Sequence, residues 1–280
     1  MNYTDYQKET LKKLQKTERE IFRYFVQLCE KHQITYYMFG GSLLGTVRHQ
    51  GFIPWDDDID VAMFRKDFEI FEKILEEEKS EQYYLVSTQN EKDYFLYFPK
   101  LMLRGTKFKE WWAEQVHFET GIFIDIFIID GLPENCIRQK LHILKTRFLS
   151  RMLAIATLKF QGYPKRIQLP VNILHTLFGW THLSKEFLKR KTINALGKYD
   201  AKESGECFCV ATVPYPPVWK IEDFIPGREG VFEGMTVQIP NHSNQLLKNF
   251  YGDYMKLPPE NERYNHRTNE IDFGNCGEKK

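Results

Sequence analysis

Long apolar runs are absent from this sequence. No stretch reaches the roughly 18 consecutive apolar residues typical of a membrane-spanning helix, so we predict that the chain does not cross a bilayer. The N-terminus is polar and charged, which predicts no signal peptide. The 280 residues contain no internal repeat and no low-complexity linker, and they suffice for one large or two small domains.

Cysteine and net charge are also scarce. The five cysteines are an odd number without the spacing of metal ligands, which indicates reduced thiols and a cytoplasmic protein. The net charge of +1 provides no bulk attraction to nucleic acid, and we expect no nucleic-acid partner. What is plentiful is apolar and aromatic side chains, at 42% and 15% of the residues, which allow a substantial core.

Acidic residues are concentrated in one short segment. Four aspartates lie within residues 56–60, with Ile59 between the last two. Side chains alternate between the two faces of a strand, so a strand here would place Asp56, Asp58 and Asp60 on one face. Like charges held together repel each other, and a bound divalent cation relieves that repulsion. Carboxylate oxygens suit Mg²⁺ or Mn²⁺.

Two other interpretations of this acidic segment fit it less well. Aspartates commonly form turns and helix caps, but the apolar alternation and the glycines upstream argue against that here. A helix-loop-helix calcium site needs Gly and Glu at positions where this chain has Val61 and Asp67, which excludes it.

A glycine-rich segment precedes the aspartates. Within residues 34–48 the pattern predicts a strand, a tight glycine turn and the start of a short helix. Glycines let the backbone approach a ligand closely, and free N–H groups at a helix N-terminus bind phosphate. We therefore predict that Gly41 and Ser42 hold a phosphate. Arg48 or His49, which lie between this turn and the acids, is expected to meet phosphate charge.

A further carboxylate lies in a continuous apolar run, residues 121–129, which is typical of a strand buried on both faces. Asp125 is in its middle, and an unpaired buried carboxylate is costly. A structural salt bridge is one explanation. We favour a cation shared with Asp58 and Asp60. A later segment, residues 230–239, is also predicted to be a strand.

No acidic residue occurs between Asn135 and Lys185. The same stretch contains nine cations separated by large apolar side chains: Arg138, Lys140, Lys145, Arg147, Arg151, Lys159, Lys165, Arg166 and Lys185. The pattern predicts a pair of basic amphipathic helices broken near residues 162–164. Such helices either lie on an anionic bilayer or pack on the core with a solvated basic rim.

Several motifs together resemble the LicD family of the nucleotidyltransferase superfamily. The matching pieces are residues 40–45, 47–49, 51–60 with their Pro-Trp-Asp-Asp-Asp-Ile-Asp string, 121–127, 251–255, 258–259 and His266. The resemblance implies an α/β or α+β fold, with a small mixed sheet, surrounding helices and an additional helical region. The expected organisation is a catalytic core in residues 1–134, a basic helical insertion in 135–205 and a C-terminal part in 206–280 that completes the catalytic domain.

The resemblance also implies an activity. Family members move phosphocholine or ribitol phosphate from a CDP-linked donor to a cell-surface glycan such as teichoic acid, capsule or a lipopolysaccharide precursor. Acceptors of this kind are often lipid-linked, which adds weight to a peripheral position on the inner face of the cell membrane. The resemblance identifies Asp58, Asp60 and Asp125 as catalytic metal ligands, to which Asp56 is added. Asp125 or Asp56 is the expected base.

Other donor contacts follow from the same resemblance. Lys100 is expected near the nucleotide, although a lysine at a sheet edge is the alternative. His266 is a further donor contact. For a choline donor, Trp55 and the pair Trp111 and Trp112 are candidates to hold the ammonium by cation–π contact.

Two rival functions stay open from the sequence. A glycosyltransferase with an Asp-x-Asp motif would share the metal site, and a non-catalytic nucleotide-binding scaffold would share the fold.

Overall fold

The computed structural model shows helices arranged around one mixed sheet. It describes residues 8–110, 112–159, 165–180, 185–212, 217–263, 265 and 268–274. Within these ranges the helices are α1 (Lys8–His32), α2 (Gly40–His49), α3 (Arg65–Glu78), α4 (Cys136–Thr157), α5 (Lys165–Trp180), α6 (Lys185–Leu196), α7 (Ala201–Ser204) and α8 (Ser243–Tyr251).

The strands are short except for one. They are β1 (Tyr37–Met38), β2 (Asp60–Phe64), β3 (Tyr83–Val86), β4 (Lys100–Leu103), β5 (Lys107–Glu110), β6 (Phe123–Gly131), β7 (Glu206–Phe208), β8 (Trp219–Lys220), β9 (Arg228–Phe232), β10 (Met235–Ile239) and β11 (Thr268–Asp272). None of the described helices has the length and apolarity that crossing a bilayer requires.

The main sheet has β6 at its centre. Its order is β1-β2-β6-β4-β3, and β7 and β8 continue it beside the far end of β6. The β2–β6 pair is parallel, while β1–β2, β4–β6 and β3–β4 are antiparallel. The predicted α/β class with a mixed sheet is confirmed. The apolar run of β6 explains its place, because a central strand is covered on both faces.

Helix α1 covers the sheet with an apolar face. Leu14, Ile21, Phe22 and Phe25 on this face are completely buried. Burial of such side chains stabilises the fold by roughly 2 kcal/mol each. Glu18 lies on the same face and is also buried.

The acidic segment departs from its predicted conformation. Strand β2 begins only at Asp60, whereas the alternating pattern predicts a strand that already includes Asp56 and Asp58. The segment instead begins in a turn, in which the Asp56 N–H donates a hydrogen bond of 2.9 Å to the Ile53 carbonyl. The prediction that one strand face carries Asp56, Asp58 and Asp60 is therefore wrong, although the acids still converge.

Two other predicted elements are divided differently. The strand expected at residues 230–239 is a hairpin of β9 and β10, because Glu233 and Gly234 have positive φ angles of 50° and 77°. Two such residues make the tight turn that suits a hairpin. The helix pair expected after residue 135 is three helices, α4, α5 and α6. The break predicted near 162–164 lies outside the described residues.

Candidate active site

The site is organised by one row of residues across three neighbouring strands. Asp60 on β2 is the register partner of Asp125 on β6, and Asp125 is the register partner of Lys100 on β4. Residues directly opposite each other in a sheet project from the same face. The sheet thus aligns two carboxylates and one ammonium group side by side.

Asp58 brings a third carboxylate to this row. Single oxygens of Asp58, Asp60 and Asp125 lie within 4.8 Å of one another. Asp56, Asp57 and Asp58 form a second group with the same spacing, so Asp58 belongs to both. The convergence of Asp58, Asp60 and Asp125 was expected from the sequence. Asp57 was not among the predicted metal ligands.

These acids open into a cavity of about 340 Å³. Its carboxylates are Asp56, Asp57, Asp58, Asp60, Glu110 and Asp125, and its rings are Phe98, Phe108, Phe123, Phe127 and Tyr251. Among the described residues that line the cavity, none is a cation. Closely spaced oxygen donors without a lining cation fit a hard divalent ion such as Mg²⁺ or Mn²⁺.

Lys100 lies behind the acids rather than at a sheet edge. Its side chain is only 1% exposed, and Nζ lies 2.7 Å from Asp125 Oδ1 and 3.3 Å from Glu110 Oε2. The ammonium group is also 3.3 Å from the centroid of the Phe123 ring. These contacts exclude the alternative that Lys100 is an exposed lysine at a sheet edge. Lys100 instead forms an ion pair with Asp125 and holds its carboxylate in position.

The buried pair has an unusual protonation balance. Burial raises the pKa of Asp125 to about 7, even though the Lys100 charge acts to lower it, and Glu110 adds to the rise. Burial by itself would lower the pKa of Lys100, but Asp125 and Glu110 together raise it above its ordinary value. Lys100 therefore stays charged, while Asp125 titrates near neutral pH.

The two glycines that start α2 make room for the carboxylates. A Cβ atom on Gly40 would lie 2.5 Å from Asp60 Oδ2, and one on Gly41 would lie 2.9 Å from Asp56 Oδ2. Gly40 also has a φ of +49°, which side chains rarely adopt. The partial positive charge of a helix N-terminus favours nearby anions, so α2 stabilises the acids that it touches.

The predicted phosphate contacts at Gly41 and Ser42 have different positions. Gly41 lines the cavity. Ser42 is buried behind it, and its hydroxyl accepts a hydrogen bond of 2.9 Å from the Asp60 N–H. This hydrogen bond holds Asp60, the first residue of β2, in place.

Arg48 is another of the predicted donor contacts. Arg48 is at the opposite end of α2 from Gly41, and its Nη1 donates to the Tyr254 carbonyl at 2.5 Å. Neither Arg48 nor Lys100 is among the described residues that line the cavity. His266 lies outside the described residues.

Glu18 is a site residue that the sequence reasoning missed. One of its oxygens, Oε2, is buried without a hydrogen-bond partner among the described residues. Burial raises the pKa of Glu18 well above its ordinary value, and the charges of Asp58, Asp57 and Asp56 add to the rise. The sequence did contain a signal, because Glu18 interrupts the apolar face of α1.

Helix α1 also holds the acidic segment directly. The side-chain amide of Gln15, one turn before Glu18, donates to the Asp56 carbonyl at 2.8 Å. The first helix of the chain thus contributes both a buried acid and a backbone anchor to the site.

Two of the tryptophans proposed for cation binding, Trp55 and Trp112, are not among the described residues that line the cavity. Trp112 is buried in the core against Phe95, and it does not line the cavity. One face of Trp55 is covered by the Arg263 guanidinium, 4.8 Å from the ring centroid. Trp111 lies outside the described residues.

The cavity has its own aromatic wall. The rings of Phe98 and Phe127 stack with centroids 5.0 Å apart and planes inclined by 15°. Tyr251 on α8 contributes a further ring to the lining.

Comparison with known proteins identifies the family of this chain. A family model described as LicD/FKTN/FKRP, nucleotidyltransferase domain, matches residues 33–149. The lipopolysaccharide cholinephosphotransferase LicD of Haemophilus influenzae is 30% identical over 277 residues, covering 94% of this chain and 98% of that protein. The chain belongs to the LicD family. The predicted resemblance is confirmed, and this LicD-family protein is a phosphotransferase.

Shorter similarities extend the comparison. The human ribitol 5-phosphate transferase FKRP is 45% identical over 49 residues, which are 18% of this chain and 10% of that protein. The uncharacterized protein RT0683 of Rickettsia typhi is 47% identical over 49 residues, which are 18% of this chain and 16% of that protein.

Proposed function

We propose that this LicD-family protein transfers phosphocholine, or another phosphorylated alcohol, from a CDP-linked donor to a sugar hydroxyl. The acceptor is a cell-surface glycan such as teichoic acid, capsule or a lipopolysaccharide precursor, carried by lipid and modified on the cytoplasmic side. The row of Asp60, Asp125 and Lys100, with Asp58 beside it, is the observation that carries the proposal. The near full-length similarity to a cholinephosphotransferase supports choline as the alcohol.

The acid groups supply the metal site of this proposal. Asp58, Asp60 and Asp125 would hold Mg²⁺ or Mn²⁺, with Asp56 as a further ligand. The ion, when bound, neutralises the pyrophosphate and stabilises the departing CMP.

The transfer exchanges one phosphorus–oxygen bond for another. The acceptor oxygen attacks the phosphorus that carries the alcohol, and the bond from that phosphorus to the bridging oxygen breaks, so that CMP leaves with the bridging oxygen. A carboxylate takes the hydroxyl proton, and Asp125 and Asp56 are the two candidates.

Other residues are proposed to contact the donor or to support that contact. The backbone at Gly41 lies in the cavity wall at a helix N-terminus and would hold phosphate oxygens. Ser42 would support it from behind, and Lys100 would act through Asp125. Arg48 stays a proposed partner for phosphate charge, and His266 stays a proposed donor contact.

The aromatic wall supports a cationic alcohol. A quaternary ammonium group is attracted to the faces of aromatic rings and to nearby carboxylates. Phe98, Phe127 and Tyr251 provide rings beside the acids, so they replace Trp55 and Trp112 as the proposed choline contacts.

A donor panel tests the proposal. The purified protein would be incubated with Mg²⁺, a glycan acceptor, and CDP-choline, CDP-ribitol, CDP-glycerol or a nucleotide sugar in separate reactions. We expect acceptor-dependent release of CMP from at least one CDP-alcohol. Release of UDP or GDP from a nucleotide sugar alone would identify a glycosyltransferase, and absence of turnover with every donor would indicate a binding scaffold.

A matched pair of variants ties the activity to the site. Asp58→Asn removes a ligand shared by both acid groups and should lower transfer at least about a hundredfold. Glu76→Gln removes an exposed carboxylate from α3 and should transfer like the wild type. Near-normal turnover of Asp58→Asn at saturating Mg²⁺ would contradict the assigned site.

A further inference from the structure

Helix α4 carries large apolar side chains on the side that faces away from the protein. Ile137, Leu141, Leu144 and Phe148 are spaced four, three and four residues apart, which places them on one face of a helix. All four are more than half exposed, while Ile143 on the opposite face is buried. A contiguous apolar face left in water is typical of a surface that binds something.

Cations flank this stripe on both sides. At about 100° per residue, Lys140 and Arg151 lie along one edge of the stripe, and Arg138 and Lys145 lie along the other. All four side chains are exposed. Long basic side chains can lay their aliphatic stems along apolar surface and extend their charges beyond it. Helix α4 contains no acidic residue to offset them.

Helix α5 repeats the pattern beside α4. Leu169, Ile173 and Leu177 are spaced four residues apart and about half exposed or more. The helix is attached to α4 by its other side, where His175 Nδ1 lies 2.7 Å from the Ile155 carbonyl oxygen. None of its described side chains is fully buried. Both helices therefore present apolar residues to the outside.

We propose that α4 and α5 dock on an anionic lipid bilayer. The docking surface consists of Ile137, Leu141, Leu144, Phe148, Leu169, Ile173 and Leu177, with the flanking cations of α4. Its apolar side chains enter the boundary between headgroups and acyl chains, and its cations meet anionic headgroups.

Charge identifies the bilayer as the occupant. A second copy of this chain would bring two sets of α4 cations together, and like charges across an interface oppose association. An anionic bilayer offers negatively charged headgroups next to an apolar interior. The headgroups complement the cations of α4, and the apolar interior accommodates the apolar side chains of the docking surface. Docking needs no donor and no turnover, so it goes beyond the proposed transfer reaction.

Vesicle flotation tests the docking. The full chain would be mixed with vesicles of phosphatidylcholine alone or of phosphatidylcholine with phosphatidylglycerol. We expect binding to the anionic vesicles at low ionic strength and progressive release as salt is added, because salt shortens the Debye length.

Two sets of substitutions separate the apolar and the charged contributions. Replacement of three cations, Lys140→Gln, Lys145→Gln and Arg151→Gln, should weaken partitioning about a hundredfold, which is about 3 kcal/mol at about 1 kcal/mol for each cation. Replacement of three stripe residues, Leu141→Ser, Leu144→Ser and Phe148→Ser, should weaken it at least about tenfold, because less apolar area enters the bilayer.

Matched controls use comparable residues elsewhere on the surface. The apolar control combines Ile70→Ser, Val231→Ser and Leu257→Ser, and the charge control combines Lys73→Gln, Lys107→Gln and Lys220→Gln. Both controls should bind like the wild type, and every variant should keep the wild-type unfolding midpoint. Asp58→Asn should also bind normally, which separates docking from transfer.

Three results would overturn the proposal. The first is a wild-type protein that ignores anionic vesicles at low ionic strength. The second is a stripe variant that binds as well as the wild type. The third is a wild-type dimer that stripe variants abolish, without vesicle binding, which would make the surface a contact between copies.

Discussion

Replacing Lys100 with Met is the most direct test of the buried row. The methionine fills similar volume but removes the charge that lies 2.7 Å from Asp125 and 3.3 Å from Glu110. Removing one partner of a buried ion pair typically costs about 3–5 kcal/mol, because the remaining charge is left uncompensated. At about 2–4 °C per kcal/mol for a chain of this size, the unfolding midpoint should fall by about 6–20 °C.

The cost should depend on pH in a defined direction. The folded-state pKa of Asp125 is about 7, above the unfolded value of about 3.9, so the folded protein binds more protons and its stability falls as pH rises between these values. Without Lys100 the folded-state pKa rises further, and the fall continues to higher pH. The deficit of Lys100→Met should therefore be modest at about pH 6 and largest above about pH 8.

Thermal unfolding in metal-free buffer at these two pH values measures the shift of the midpoint, and denaturant unfolding measures the loss of free energy. Lys109→Met is the matched control, because it removes an ion-paired lysine at the surface of the neighbouring strand β5, and it should leave the midpoint unchanged. Adding Asp125→Asn to Lys100→Met should restore part of the lost stability, since the two residues are coupled. Equal stability of Lys100→Met and the wild type at both pH values, or simple additivity in the double variant, would refute the reasoning.

Two further substitutions test the neighbours of the acids. Glu18→Gln should leave the metal-free protein as stable as the wild type near the unfolded pKa of Glu18 and increasingly more stable as pH rises, because a raised folded-state pKa makes wild-type stability fall with pH. Glu20→Gln, which changes a partly exposed carboxylate on the same helix, should show no such trend. A Glu18→Gln protein that loses stability at high pH would reveal a stabilising partner of the Glu18 carboxylate. Gly40→Ala should lower transfer at least about tenfold and reduce stability by about 1–3 kcal/mol, because the new Cβ meets Asp60. Gly105→Ala changes a glycine that has a positive φ but no neighbouring atom within 4 Å of the new Cβ, so it measures backbone strain alone. Equal losses of stability in the two variants would show that the clash with Asp60 has no effect.

The central part of the site was predictable because its signal is local. The run that became β6 is long and continuously apolar, so Asp125 stood out as a buried carboxylate. The same reasoning placed Asp58 and Asp60 with it, and their oxygens do lie within 4.8 Å of one another. The strand boundary was wrong, because a turn at Ile53 delays the start of β2 to Asp60.

The supporting residues were not predictable because their partners are distant in sequence. Glu110 reaches Lys100 only after β5 folds next to the main sheet, and the hydrophobic periodicity of the sequence does not indicate that contact. The β9–β10 hairpin was missed for a different reason. Glu233 and Gly234 lack the Asn-Gly or Asp-Gly pair that usually marks a tight hairpin turn, so two strands looked like one.

The pairing of β5 with β11 has a consequence for biosynthesis. Glu110 on β5 has Thr268 on β11 as its register partner, and the Thr268 hydroxyl bonds to the Lys109 carbonyl across 159 positions of sequence. During translation, β5 leaves the ribosome long before the strand that completes its sheet. The wall of the cavity that carries Glu110 therefore closes late, so a nascent chain with a finished core still lacks a finished site. Loop closure over such a distance is slow, and activity should appear after, rather than together with, the compact fold.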